Sequence, residues 1–416
     1  MRRQTLIYLS ITFAMASAAA VADEVTDWNH AMLVATLTPP VTPAPVSMRV
    51  AAIFQAAVFD AVNGIERRYA PIHVRPAVSP FASERAAAVQ AAYVTLVDLF
   101  PAQKETFDNM RTASLDAIGD PKFAIQQGIA WGQIVADQIL AWRSQDGFSV
   151  TPPQYFGGTD PGQWRPTPPA MLPGLVPQLA QTNPWVIHSP SQFRPSGPPA
   201  LGSDQYTADF NETKNMGSAT TTSRTADQTV YVNFWQNSNP PDYFDPVAIS
   251  LAQQRQFTME QTARLLALVN LGMADAIIGC WDAKYAYSFW RPITAIRLAD
   301  SDGNDATAAD AAWNPLVVTP PFPEYPSAHS CVSGAAAHIL SAIFGEETSF
   351  TVGSDATPGT TRSFHSFTAA LEEIKNARIY GGIHFRTACV DGQALGIAVA
   401  DYVMAHALRP IRFNRY

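Results

Sequence analysis

The chain has 416 residues, 47% of them hydrophobic and 15% charged, with a net charge of −8. That apolar content supplies a large core and excludes intrinsic disorder, and with no Lys/Arg run longer than a pair, a nucleic-acid partner is not expected. Cys280, Cys331 and Cys389 are an odd, widely spaced set that excludes a disulfide framework or zinc pattern. They read as small buried residues, with one bridge left open in an oxidising compartment.

In chain order, residues 1–22 read as a secretory signal peptide: Arg2-Arg3, an apolar run over 6–19, then Ala20-Val21-Ala22. The run is short for a span, and no later segment holds about 18 uninterrupted strongly apolar residues. The expectation is an exported protein, periplasmic or secreted, with no stable membrane insertion. Helical spacing follows over 48–63, with Gly64 as its stop, then 84–100 capped by Ser83, 102–118 and 122–143. Thirteen of the 33 prolines fall in 145–199, mixed with Tyr155, Trp164 and Trp185. This stretch reads as an ordered excursion that wraps the scaffold or roofs a site. The Thr/Ser-rich stretch 202–224 reads as an exposed, mobile loop.

Helix resumes near Pro246, and Thr258 with Gln261 forms a capping box for a long helix over 259–289, which Pro292 stops. Further helices are predicted over 330–344, 367–380 and 391–407, with a Gly381-Gly382 break. No strand alternation is evident. The fold class is mostly α, with residues 23–245 as a helical scaffold carrying the Pro-rich excursion and 246–416 as a helical oxyanion-binding catalytic region.

The chemistry gathers in the final third. Residues 321–329, Pro-Phe-Pro-Glu-Tyr-Pro-Ser-Ala-His, lead into an apolar helix, so free N–H groups would meet an anion beside Ser327, Ala328 and His329. Lys284 and Arg291 are seven residues apart, about two turns along one face, amid aromatic residues that leave unpaired cations in need of a counter-charge. Arg378 precedes His384 by six residues across two glycines that permit a sharp turn. Three cations, two imidazoles, a hydroxyl and helix-terminal amides suit a tetrahedral oxyanion.

Lys284-x6-Arg291-Pro292, Pro326-Ser327-Ala328-His329 and Arg378-x5-His384 together resemble the three-part signature of the vanadium-dependent haloperoxidases and the phosphatidic acid phosphatase type 2 superfamily. The resemblance implies a helical-bundle fold with long Pro-rich loops. In the haloperoxidase reading it implies vanadate as cofactor, held by Lys284, Arg291, Arg378, Ser327 and the amide of Ala328, with His384 on vanadium. His329 would be the acid/base, and Lys284 would polarise peroxide. The partners would be hydrogen peroxide, halide and a small organic substrate, and a homodimer is compatible with the family. In the acid-phosphatase reading no metal is needed: His384 attacks a phosphomonoester and His329 protonates the leaving alcohol. A non-enzymatic oxyanion-binding protein is the third reading.

Trp281 and Phe322 match aromatic positions of the halide pocket in fungal chloroperoxidase-type members, which favours halide chemistry; core packing is the alternative. Two departures stand out. Ala328 replaces the family's glycine, and Ala388 replaces the acidic residue expected four after His384, leaving Asp391 or a backbone carbonyl to orient that imidazole.

Overall fold

The computed structural model describes residues 23–236 and 238–411, and these are mostly helical. Residues 1–22 lie outside the described residues, and with them the signal-peptide reading. The chain opens with α1 (Glu24–Leu37), α2 (Ala44–Glu66), α3 (Glu84–Leu99), α4 (Lys104–Asp116) and α5 (Lys122–Arg143). Asp23 and Ser83 cap α1 and α3 by accepting from the N–H groups of Thr26 and Ala86. α2 runs past Gly64, its expected stop, and ends at Arg67 in the left-handed conformation. Gly64 serves packing instead, since a Cβ there would lie 2.5 Å from the Trp131 ring of α5.

The expectation of a mobile loop over 202–224 is overturned by α6 (Asp204–Met216). Ser203 caps it and Tyr206, Asp209, Phe210 and Thr213 are buried, so one apolar-aromatic face at helical spacing outweighed the polar composition around it. Then come α7 (Ala226–Gln236), α8 (Pro240–Gln254), α9 (Met259–Tyr287), α10 (Pro292–Arg297), α11 (Ala328–Phe344), α12 (Phe367–Tyr380) and α13 (Arg386–His406). α8 starts earlier than expected because Pro240 sits in its first turn, where the missing N–H costs nothing. The turn-rich segment before α12 holds an antiparallel hairpin that period-2 reading missed, β1 (Phe350–Gly353) and β2 (Thr361–Phe364), with Phe350 opposite Phe364.

The organising element is α9, roughly 44 Å long at 1.5 Å per residue and buried on every face from Leu265 to Trp281. α2, α11 and α13 all pack on it. By length and hydropathy alone α2, α9 and α13 could each cross a membrane, contrary to the expectation from uninterrupted runs; 89%, 94% and 44% of their apolar windows are buried within this fold. The Pro-rich excursion is held to α9 by one carboxylate: Asp275 accepts the N–H groups of Trp185, Val186 and Ile187 at 2.7–2.9 Å. Leu175 of the same excursion donates its N–H to Pro321 O at 2.8 Å, so the excursion also walls the site.

Small residues set the site's geometry. A Cβ on Gly396 of α13 would lie 2.0 Å from Cys331 O of α11, and one on Gly392 would lie 2.7 Å from Ser327 O. Only glycine permits that approach. It brings the start of α13, just after His384, against the start of α11, where Ser327 and His329 lie. Ser327 N–H donates to Ala388 O at 2.8 Å across this seam. Cys280, Cys331 and Cys389 are free thiols buried around it.

Two buried carboxyls on α8 make a stability prediction. Asp245 bonds Asn270 Nδ2 at 2.8 Å but leaves Oδ2 unpartnered, and burial pushes its pKa up to about 8; burial raises Asp242 to about 7. Their folded pKa values exceed the unfolded ones, so the stability they contribute is full below about pH 4 and lost as pH rises through 7–8. Between pH 6.5 and 8, above ordinary histidine titration, the melting temperature is expected to fall, each extra bound proton being worth about 1.4 kcal/mol per pH unit. Asp245→Asn should flatten that slope in thermal melts; an unchanged slope would remove Asp245 as its source.

Candidate active site

Arg291 sits at the N-cap of α10, Arg378 in the last turn of α12, and Lys284 in the last turn of α9. All three are essentially buried, and burial pushes them down to about 9, 10 and 8 respectively. Arg378 has no carboxylate partner among the described residues, and its Nε and Nη1 bond nothing. Arg291 donates from Nε to Phe322 O and from Nη1 to Ile383 O, each at 2.8 Å, and leaves Nη2 unpartnered. An uncompensated buried guanidinium is costly, so the arrangement calls for an anion.

Lys284 behaves differently. Its ammonium donates to the carbonyls of Pro323, Glu324 and Pro326 at 2.9, 2.9 and 2.5 Å, which occupies all three protons. It therefore ties residues 323–326 to α9 and lends the site its charge. A contact from Lys284 to a bound oxyanion requires one of these bonds to be exchanged.

Glu324 orients His384. His384 Nδ1 lies 2.8 Å from Glu324 Oε1, which also accepts the Phe385 N–H at 2.9 Å. His384 Nε2 lies 3.1 Å from Arg291 Nη1. A guanidinium can only donate, so Nε2 is the bare nitrogen and the ring proton sits on Nδ1, facing the carboxylate. Burial, then the Arg291 and Lys284 cations, hold the imidazole well below its usual pKa, and burial raises Glu324 to about 8. This corrects the expected partner: Asp391 instead accepts from Tyr325 OH at 2.5 Å, while Ala388 contributes its carbonyl to Ser327. The sequence signal was a lone acidic residue among prolines three before Ser327.

Ser327 occupies the N-cap of α11 with extended backbone, but its hydroxyl makes no capping bond and is buried without a partner. The N–H groups of the first turn, Ala328 to Ser330, have no helical acceptors. Ala328 lies in this turn with helical backbone, so its methyl imposes no backbone strain. His329 points Nε2, buried and unpartnered, into the same region, and burial followed by the Arg378 cation lowers its pKa. Ser327→Ala should cost less than about 0.5 kcal/mol of stability, against about 1 for a working cap, yet weaken vanadate binding in equilibrium dialysis. A large loss of stability with unchanged affinity would make Ser327 an ordinary cap.

A cavity of about 280 Å³ opens onto Ala328, His329, Arg378 and His384. Trp281 and Phe322 both line it, with ring centroids 4.9 Å apart, and the Arg291 and Lys284 cations lie 4.8 and 5.1 Å from the Phe322 ring. Unpartnered Arg291 Nη2, Arg378 Nε and Nη1, Ser327 Oγ and His329 Nε2 fit an oxyanion such as vanadate, since the set is dominated by cationic and neutral donors.

Residues 264–412 match the family model described as the VCPO second helical-bundle domain. The chain is 26% identical to vanadium chloroperoxidase from Curvularia inaequalis over 49% of its own length and 41% of that protein, so the match spans less than half of this curated relative. Its fold is similar to that of a bacterial vanadium-dependent iodoperoxidase, with a TM-score of 0.80, 26% identity, and coverage of 94% of this chain and 98% of that one. A bacterial vanadium-dependent chloroperoxidase in its apo form matches in fold alone, with a TM-score of 0.70 at 17% identity over 87% and 94% of the two chains. The resemblance drawn from the three motifs is borne out.

Proposed function

We propose that this chain, a relative of the vanadium haloperoxidases in sequence and fold, binds vanadate in its cationic cage and uses hydrogen peroxide to oxidise halide to a hypohalous-acid equivalent. The observation that carries the reading is the set of unpartnered buried atoms on Arg291, Arg378, Ser327 and His329, gathered beside the Trp281–Phe322 wall. Bound vanadate supplies a Lewis-acid centre that activates peroxide. His384 offers its bare Nε2 to the group, held in that tautomer by Glu324. Arg291 and Arg378 neutralise the oxyanion, with Ser327 Oγ and the first amides of α11 completing the donors. His329, kept neutral, accepts a proton from the incoming peroxide and returns it to the leaving oxygen. Trp281 and Phe322 strip water from halide approaching the cage. The export reading rests on residues 1–22 alone.

The same cage would take a phosphoryl group, with His384 Nε2 as nucleophile. The apolar wall favours halide over a phosphomonoester. The separating experiment loads the protein with orthovanadate and assays halogenation of a phenol indicator with peroxide and iodide, bromide or chloride, beside phosphate-ester hydrolysis by the vanadate-free protein. Halogenation supports the proposal. Ester hydrolysis alone overturns it.

A further inference from the structure

The cavity is larger than the oxyanion chemistry needs. An apolar cavity of roughly 150 Å³ holds a benzene molecule, and this one measures about 280 Å³. Its inner end is the cage. Its outer end reaches Val41, 55% exposed, in the turn between α1 and α2. Between the two ends the walls are aliphatic and prolyl, with Met48, Ile277, Val332, Pro240 and Pro321 around the Trp281–Phe322 pair. Halide needs only the Trp281–Phe322 pair beside the cage, whereas a flat ring buries its faces along the rest of the wall.

Three polar residues break that wall: Ser238, whose hydroxyl is bonded to that of Ser354, Asn239, whose N–H donates to Asp242 Oδ2, and Gln236. Gln236, at the C-terminal end of α7, lines the cavity with its Oε1 buried and bonded to nothing. A buried unpaired carbonyl acceptor is unfavourable unless a donor fills it. Beside apolar walls, that acceptor is satisfied by a neutral group carrying O–H or N–H.

We propose that this cavity is a binding site for the organic halogen acceptor, a neutral single-ring aromatic whose O–H or N–H donates to Gln236 Oε1 while the ring lies between the apolar walls and the cage. The assignment of acceptor rests on the haloperoxidase reading above. In that reaction the electrophilic halogen passes from the hypohalous acid to a ring carbon: a carbon–halogen bond forms, the carbon–hydrogen and halogen–oxygen bonds break, and the ring proton leaves with the hydroxide as water. Halogen is the atom reduced and the ring carbon is the atom oxidised.

The test is ground-state binding to the vanadate-free protein, measured by calorimetry or ligand-observed NMR, which does not depend on turnover. Phenol should bind saturably at one site per chain and more tightly than anisole, which lacks the donor, by about 5–10-fold, the worth of one neutral hydrogen bond. In Gln236→Leu that preference should vanish while anisole affinity is retained; loss of binding for both ligands, with the fold retained, would overturn the role given to Gln236. No saturable phenol binding, equal affinity for phenol and anisole in the parent protein, or a preference that survives in the variant would each overturn the proposal. If both ligands behave as expected but the vanadate-loaded protein oxidises no halide, the binding site stands and the haloperoxidase reading fails. If halide is oxidised but halophenol formation stays linear in phenol well beyond the binding constant, the acceptor role is overturned.

Discussion

His384→Ala is expected to abolish halide oxidation and to lower vanadate affinity by more than about 100-fold, because loss of an outer-shell partner alone costs 10–100-fold and this substitution removes the proposed ligand itself. The imidazole presents a bare Nε2 because Arg291 can do nothing but donate and Glu324 accepts the bond from Nδ1–H. No neighbour can replace it: the other imidazole, His329, stands on α11 rather than on the loop before α13. The variant should still fold below about pH 8. Its loss leaves Glu324 Oε1 with the Phe385 N–H, and a carboxyl whose pKa is already raised to about 8 can hold a proton in place of its partner. Equilibrium dialysis of vanadate and circular dichroism measure the two halves separately. Retained turnover, or retained affinity in a folded protein, would show that His384 is not the ligand.

Glu324→Ala should lower vanadate affinity by about 10–100-fold, the range for removing a partner that orients a metal-bound imidazole. Two effects oppose each other. Removing a negative charge from a cage of three cations favours an anion, but the carboxyl is raised to about 8 by burial, so near neutrality it brings little charge to lose. The orienting effect therefore wins. The Ala variant strands both Nδ1–H and the Phe385 N–H in a buried site, each at a cost of about 1–3 kcal/mol. Glu324→Gln keeps an acceptor at the same place and should bind vanadate within a few-fold of the parent. Nitrogen-15 shifts of His384 report the Nδ1–H bond directly: hydrogen-bonded in the parent and Gln proteins, unbonded in Ala, where Arg291 still donates to Nε2. An Ala variant with unchanged Nδ1 shift and affinity would reduce Glu324 to packing.

Much of this site was legible as a set of residues. Lys284, Arg291, Arg378, Ser327, His329 and His384 stand at fixed spacings within helices and helix junctions, and cations amid aromatic residues imply a counter-ion whatever the fold. α5, α9 and α12 were readable for a similar reason: apolar period, caps and proline stops are local properties of the chain. α6 was not, since its buried face is built from two aromatics and two polar residues inside a Thr/Ser-rich stretch. Gly64 misled because a glycine needed for close approach looks the same in sequence as one needed for a turn.

The sequence by itself determined which donors exist, their order, and that a helix begins at the Ser327 junction. Tertiary structure decided how those donors are used. Lys284 spends its protons on three carbonyls, Ser327 forgoes its cap, and Glu324, not Asp391, faces an imidazole 60 residues away. Those choices depend on how closely α11 and α13 approach, and Gly392 and Gly396 set that distance through contacts between segments far apart in the chain. Local periodicity carries no information about which of two nearby carboxylates such a seam brings to 2.8 Å from a ring nitrogen.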